Sequence, residues 1–249
     1  MTLASTTLLV AIGAALASMP VYALVRGGPD ADAQKKGSTF LLGAGDFFLH
    51  WFLWVVSPLE RLALALGLGP DFFNFAGLGL GLASGVLIAL GRREAGGLAI
   101  LLGGVCDILD GRLARALKVD SPYGKFIDAT LDRFVEVFVL LGFVFALRGL
   151  TWGPLVAAAA VSGSLLVSYA RARGETVGVL CKEGLMQRGE RLVLVCLACF
   201  LDGPLSARLG QPVGFVSLWV LGLIAAGSLL TAAHRTVWIA ARLREGEKR

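Results

Sequence analysis

Two short stretches decide the fold: Asp107-Ile-Leu-Asp110-Gly111-Arg-Leu-Ala114-Arg115 and Gly124-Lys-Phe-Ile-Asp128-Ala-Thr-Leu-Asp132. Their acidic, glycine and small positions recur every three or four residues, so each stretch places them on one face of a helix. Between the two stretches, Ser121 can cap a helix and Pro122 suits its first position. The sequence therefore predicts two helices joined by a short turn, with acidic faces that can meet.

Four carboxylates lie among apolar residues in these helices. They are Asp107, Asp110, Asp128 and Asp132. Like charges repel one another and are costly to remove from water, so we expect a cation among them. Carboxylate oxygens without histidine or cysteine suit a hard divalent ion, Mg²⁺ or Mn²⁺. The alternative is a set of solvated turn charges paired with Arg112, Arg115 and Arg133, which does not explain the two aligned faces.

The spacing Asp-x2-Asp-Gly-x2-Ala-Arg-x8-Gly-x3-Asp-x3-Asp resembles the signature of the CDP-alcohol phosphotransferase family. The fixed positions are Asp107, Asp110, Gly111, Ala114, Arg115, Gly124, Asp128 and Asp132. A signature spread over two helices is far more specific than a single glycine-rich motif. The resemblance implies an enzyme that transfers a phosphatidyl group from CDP-diacylglycerol, or a related CDP-lipid, to an alcohol and releases CMP.

The resemblance also implies roles for individual residues. The four aspartates would hold two divalent cations per active site, and Asp132 would also act as the general base for the attacking hydroxyl. A second segment, at 67–77, resembles the family's Thr-Pro-Asn/Asp segment, although Gly69 stands where threonine is usual. The contacts expected for the CDP-lipid are Pro70, Asp71, Phe72, Phe73, Gly111, Ala114, Arg115, Ser121 and Gly124.

A third region resembles the subgroup that makes phosphatidylinositol phosphate, with its archaeal ether-lipid relatives. Arg171 and Arg173 end one predicted helix, and Arg188 and Arg191 begin the next. Guanidinium groups grip phosphate in a fork, so we expect Arg171, Arg188 and Arg191 to bind a phosphorylated acceptor. Inositol 1-phosphate is the first expectation, and glycerol 3-phosphate, the substrate of a phosphatidylglycerophosphate synthase, is the second. The alternative is that these arginines anchor the chain to lipid headgroups.

The composition indicates a membrane protein. The 249 residues are 56% hydrophobic and 16% charged, whereas soluble domains carry about 25% charged residues. The net charge of +5 fits anionic lipids better than nucleic acid, because no basic stripe is interleaved with aromatic residues. Of the four cysteines, Cys196 and Cys199 lie in an apolar run and are predicted to be small membrane-helix residues rather than a redox pair, and Cys106, beside Asp107, is predicted to pack rather than to bind metal.

The predicted fold class is an all-α, polytopic membrane helical bundle. Six core spans are expected at 73–91, 96–117, 123–147, 153–172, 191–201 and 214–240, the fifth beginning near Gly184. The aromatic-rich segment 47–67 predicts a helix lying in the membrane interface, with a re-entrant segment as the alternative. This membrane domain would occupy residues 39–249.

An extra N-terminal transmembrane helix at 3–25 and a polar linker, together residues 1–38, would precede that domain. A cleaved signal peptide is the alternative, but no basic residue precedes the apolar run. Most lysines and arginines fall on the motif's side of the predicted spans, which places the active site on the cytoplasmic side of the inner cell membrane. The family resemblance also implies a homodimer.

Two other classes of function remain open. Intramembrane carboxylates can mark the ion path of a divalent cation transporter. Transporters usually show internal repeats or paired broken helices, and no such pattern stands out here. The other class is a non-catalytic lipid-binding protein that kept the fold, which would more readily have lost one of the four aspartates.

Overall fold

The structure, a computed structural model, describes residues 18–20, 22–23, 45–119, 121–181 and 183–246. The predicted N-terminal helix and linker lie almost entirely outside these residues. Within the described part the regular structure is α-helical. The long helices are α1 (Gly45–Ala65), α2 (Pro70–Ala89), α3 (Arg93–Ala116), α4 (Pro122–Ala146), α5 (Gly153–Thr176), α6 (Arg188–Arg208) and α7 (Phe215–Gly246).

Three of the described helices, α2, α5 and α7, are long and apolar enough to cross a bilayer. The chain is therefore a membrane protein, as its composition predicts. Charged residues interrupt the apolar sequence of α3, α4 and α6.

Local chemistry explains where several helices begin. Pro70 and Pro122 occupy the first positions of α2 and α4, where a missing N–H costs nothing. The Ser121 hydroxyl accepts a hydrogen bond from the Gly124 N–H at 3.1 Å and so caps α4, as predicted. Within α1, Pro58 cannot donate to the Trp54 carbonyl, and the Ser57 hydroxyl donates to that carbonyl instead at 2.8 Å.

The helices form two groups of contacts. The first comprises the residues up to Phe75 together with Val105–Gly124. In this group α1 buries Leu53, Val56 and Ala63 and exposes a second apolar face that includes Leu62. An apolar face left exposed on this helix is typical of a segment that contacts lipid.

The second group comprises Ala76–Gly104 and Lys125–Arg249 and contains the main hydrophobic core. Its helices approach closely at small residues. A Cβ at Gly85 would lie 2.3 Å from the Phe138 carbonyl oxygen, and one at Gly142 would lie 2.4 Å from the Gly85 carbonyl oxygen. Backbones therefore touch where α2 crosses α4. A Cβ at Gly163 of α5 would lie 2.9 Å from the Ser228 Cβ of α7, a close approach that is typical of membrane helix pairs.

The predicted limits of α6 are wrong at both ends. The helix begins at Arg188, because Gly184 has a φ of +147° that no helix accommodates. It also continues past 201 and through Pro204 to Arg208. The short apolar run hid this extension, since Asp202 reads as a loop residue in sequence but is fully buried in the structure.

Asp202 connects three helices at this end of the second group. Its carboxylate accepts the N–H groups of Gly214 at 2.8 Å and Ser217 at 2.9 Å, which otherwise lack partners at the start of α7. The Ser206 hydroxyl donates to it at 3.3 Å, and Arg93 Nε lies 3.5 Å away. Asp202 thus caps α7 from a neighbouring helix and balances the charge of Arg93.

Replacing this carboxylate should destabilise the protein without touching the motif. Asp202→Ala would leave buried N–H donors unsatisfied and Arg93 unpaired, at a cost of roughly 3 kcal/mol. We expect a lower midpoint of thermal unfolding in detergent. It is measured by heating samples, separating them by size-exclusion chromatography and recording the fluorescence of the peak of folded protein. Glu245→Ala is the control, because its pair with Arg242 is exposed and contributes little. Equal midpoints for the two variants would contradict this account of Asp202.

Candidate active site

The first acidic stretch forms the C-terminal half of α3. Asp107 and Asp110 lie one turn apart, and Asp110 is buried with 5% of its surface exposed. A Cβ at Gly111 would lie 3.4 Å from Nη1 of Arg115, so the Arg115 guanidinium lies beside the bare glycine. This turn of α3 therefore offers acidic side chains and a cation next to an accessible backbone.

The turn between α3 and α4 is tightly hydrogen bonded. The Val119 N–H donates to the Ala114 carbonyl at 3.0 Å, and the Lys118 N–H donates to the Arg115 carbonyl at 3.2 Å. Lys118 adopts the left-handed conformation, with φ +55°, and so terminates α3 in the way that a C-terminal glycine usually does. With Ser121 capping α4, this short connection has defined ends on both sides.

The second acidic stretch forms the start of α4. One carboxylate oxygen from each of Asp107, Asp110 and Asp128 lies within 4.8 Å of the other two. The donor set is all oxygen, which is the set that Mg²⁺ and Mn²⁺ prefer. These three residues therefore fit a divalent cation on both spacing and chemistry. Asp132 lies one turn further along α4.

Asp132 and the next acidic residue on α4 are paired with arginines of α6. Arg188 Nη2 lies 2.5 Å from Asp132 Oδ1. One turn on, Arg191 donates to both carboxylate oxygens of Glu136, at 2.5 and 3.2 Å. Arg191 also donates to the Met186 carbonyl at 2.7 Å. Two parallel ion pairs thus join α4 to the start of α6.

The two ion pairs differ in accessibility. The Arg191 side chain is 3% exposed, whereas the Arg188 side chain is 32% exposed. A cavity of about 30 Å³ lies between these pairs and an apolar wall formed by residues such as Val139 and Leu192. Arg188 is therefore the more accessible of the two arginines, and Arg191 is largely enclosed by the protein.

The third predicted acceptor arginine, Arg171, does not share the contacts of Arg188 and Arg191 with α4. Arg171 Nε donates to Glu175 Oε1 at 2.9 Å, in an exposed pair one turn apart on α5. The structure therefore brings Arg188 and Arg191 to the acidic face of α4 and gives Arg171 a different carboxylate. At the start of α2, Asp71 lies in the first turn, Phe72 is exposed, and its ring meets that of Phe73 edge to face at 5.2 Å.

Two ion-pair partners near the motif were missed by the sequence analysis. Glu136 continues the spacing of Asp128 and Asp132 by a further four residues, a pattern that could have revealed it. Glu60 of α1 pairs with Arg112 at 2.5 Å, beside Gly111. Glu60 and Arg112 are 52 positions apart in the sequence, and no local pattern links them.

Comparison with known proteins gives one family and close relatives. The family model for CDP-alcohol phosphatidyltransferase matches residues 68–220. An archaetidylinositol phosphate synthase from Methanothermobacter thermautotrophicus is 30% identical over 186 residues, which are 75% of this chain and 90% of the relative. A phosphatidylinositol phosphate synthase from Streptomyces avermitilis is 32% identical over 196 residues, which are 76% of this chain and 79% of the relative.

Two solved structures have similar folds, and both are of a phosphatidylinositol phosphate synthase from Mycobacterium tuberculosis. The structure with CDP-DAG bound has a TM-score of 0.66 and 25% identity, covering 74% of this chain and 93% of that one. The complex with manganese and citrate has a TM-score of 0.65 and 26% identity, covering 74% and 88%.

Proposed function

Because the chain belongs to the CDP-alcohol phosphatidyltransferase family, we propose that it transfers the phosphatidyl group of CDP-diacylglycerol to inositol 1-phosphate and releases CMP. It is a membrane enzyme of phospholipid biosynthesis, and its family does not favour the divalent cation transporter. The observation that carries the proposal is the group of carboxylates from Asp107, Asp110 and Asp128 within the family's motif.

The site takes a divalent cation, as the oxygen donor set and the manganese complex of the relative indicate. We propose Mg²⁺ or Mn²⁺, two per active site, held by Asp107, Asp110, Asp128 and Asp132. When bound, such ions would neutralise the diphosphate and stabilise the leaving CMP. The carboxylates would hold the ions at defined positions, because the aspartates lie on rigid helical turns rather than on loops.

The CDP-lipid would lie against the turns of α3 and α4 that carry the motif. Gly111 and Ala114 leave the helix surface open to a nucleotide, and Arg115 beside Gly111 can grip a phosphate. Ser121 and Gly124 form the capped start of α4, where N–H groups favour anions. The first turn of α2, Pro70 to Phe73, would supply the remaining contacts.

Asp132 and the arginines of α6 would serve the acceptor. A carboxylate at this position can accept the proton of the attacking hydroxyl, and Arg188 at 2.5 Å can bind the acceptor's phosphate beside it. Arg191 and Arg171 would complete the phosphate site. The relatives that make inositol phosphate lipids support inositol 1-phosphate as the acceptor, ahead of glycerol 3-phosphate. A panel containing both phosphate esters, free inositol and serine distinguishes these activities.

The membrane arrangement completes the proposal. We propose six core spans, α2 to α7, with α1 in the membrane interface and the motif on the cytoplasmic side of the inner membrane. The partners are the CDP-lipid, the acceptor, membrane lipid and a second copy of the chain in a homodimer. An apolar groove of about 530 Å³ between α4 and α5 is one surface that such a partner could cover.

Removal of the cation should stop the reaction. A chelator should abolish CMP release, and added Mg²⁺ or Mn²⁺ should restore it, because the diphosphate needs neutralisation. Asp128→Asn should lose at least about a hundredfold in activity yet stay folded, since loss of one acid relieves repulsion. Glu245→Gln is the control for removing a carboxylate elsewhere. Full activity in chelator contradicts the metal proposal.

The role of Asp132 can be separated from lipid binding. Asp132→Asn should reduce kcat by about a hundredfold or more while the Kd for the CDP-lipid changes little, because the base acts on the other substrate. Turnover and lipid binding are measured on the same purified preparation. Parallel losses in both would mean that Asp132 acts first as a metal ligand.

The acceptor arginine should affect one substrate only. Arg188→Ala should raise the KM for inositol 1-phosphate by about tenfold or more and leave the KM for the CDP-lipid nearly unchanged. Arg242→Ala, which removes an exposed arginine of α7, is the control. If free inositol or serine proves the better acceptor for the wild type, the phosphate site proposed here does not exist.

A further inference from the structure

The segment that precedes α6 and its acceptor arginines is hydrogen bonded to α7. The Met186 N–H donates to Thr231 Oγ1 at 3.1 Å, and the Thr231 hydroxyl in turn donates to the Gly227 carbonyl at 2.7 Å. Thr231 is 2% exposed. One hydroxyl thus accepts one hydrogen bond and donates another in a place closed to water.

Close packing reinforces this attachment. Gly184 has φ +147°, and a Cβ there would lie 2.3 Å from Thr231 Cγ2. A Cβ at Gly227 would lie 2.7 Å from the end of the Met186 side chain. Only glycine allows the segment to lie this close to α7 at Gly184, since a side chain would need both space and a rare backbone angle.

A second residue of α7 binds the same segment. Arg235 Nε donates to the Glu183 carbonyl at 2.9 Å, and Nη1 donates to the Val167 carbonyl of α5 at 3.1 Å. Arg235 is 3% exposed. The segment 183–186 is therefore held at Glu183, Gly184 and Met186 by one face of α7.

The backbone of Met186 connects Thr231 to the acceptor arginines. Its N–H is bound to Thr231, and its carbonyl accepts from Arg191 Nη1 at 2.7 Å. Arg188, two residues after Met186, begins α6 and pairs with Asp132. A displacement of Met186 would therefore move a contact of Arg191 and the first turn of α6 together.

We infer that Thr231 is a positioning residue for the acceptor site, which it serves by fixing Met186 and, through it, Arg188 and Arg191. This inference rests on the proposed function, because it assumes that these arginines bind the acceptor's phosphate. A guanidinium displaced by about 1 Å can cost a large factor in binding or rate. The CDP-lipid contacts on α2, α3 and α4 do not involve this segment, so the effect should be confined to the acceptor.

The experiment compares two threonines of α7. Thr231→Val removes the hydroxyl but keeps the shape, and Thr231→Ser keeps the hydroxyl. Thr236→Val is the matched control, because Thr236 makes the same bond to a carbonyl four residues back, at 2.9 Å to Ala232, and bridges to no other described segment. The KM values for inositol 1-phosphate and for the CDP-lipid are measured together with thermal midpoints.

We expect Thr231→Val to raise the acceptor's KM by about tenfold, with the CDP-lipid's KM within about twofold of wild type. Thr231→Ser and Thr236→Val should behave like the wild type. If Thr231→Val yields too little folded protein, Thr231→Ala removes the hydroxyl without placing a methyl group where the oxygen was.

Two results overturn the inference and remain distinguishable. If the wild type uses phosphorylated acceptors and Thr231→Val leaves their KM unchanged, or raises both KM values equally, Thr231 has only a structural role. If the wild type prefers an unphosphorylated alcohol, the proposed function fails, and the inference fails with it.

Discussion

Negative charge inside an apolar helical bundle is the constraint on which the rest of this structure depends. Each buried or half-buried carboxylate needs a compensating positive charge, and the protein uses two kinds. Arginines compensate Asp132, Glu136 and Asp202, through ion pairs within the second group of contacts. The group formed by Asp107, Asp110 and Asp128 has the all-oxygen composition that suits a divalent ion.

Small residues make the charged contacts geometrically possible. Backbone contact between Gly85 and Gly142, and the close approach of α5 to α7 at Gly163, leave little freedom for one helix to slide past another. Because the distance between the packed helices is then fixed, the charged side chains on them lie at defined separations.

Features with a local cause could be predicted from the sequence, and features with a distant cause could not. The start of α4 follows from Ser121 and Pro122, which act on their own turn of helix. The limits of α6 could not be read locally. Its true end depends on Asp202 reaching the start of α7, and its true start depends on Gly184 packing on Thr231.

The same distinction applies to the candidate site. The motif residues share helical faces because of their spacing, which is visible in one sequence. The ion-pair partners of the arginines proposed to bind the acceptor are not visible in the sequence, because Glu136 and Arg191 are 55 residues apart and meet only when α4 and α6 pack. Thr231, on the last helix, follows Asp132, the last residue of the acidic motif, by 99 residues.

The length of α7 has a consequence for how the two substrates reach each other. Counting from Phe215, Arg235 lies 20 residues along the helix, or about 30 Å at 1.5 Å per residue. That distance equals the hydrocarbon thickness of a typical bilayer. If α7 runs along the membrane normal with Phe215 at one boundary of the hydrocarbon, the segment bound to Arg235 lies at the other boundary, beside the headgroups. A water-soluble polyol phosphate can arrive there by free diffusion, while a nucleotide-activated lipid arrives by lateral diffusion with its acyl chains still immersed. The reaction would then be interfacial catalysis, with neither substrate crossing into the other's phase.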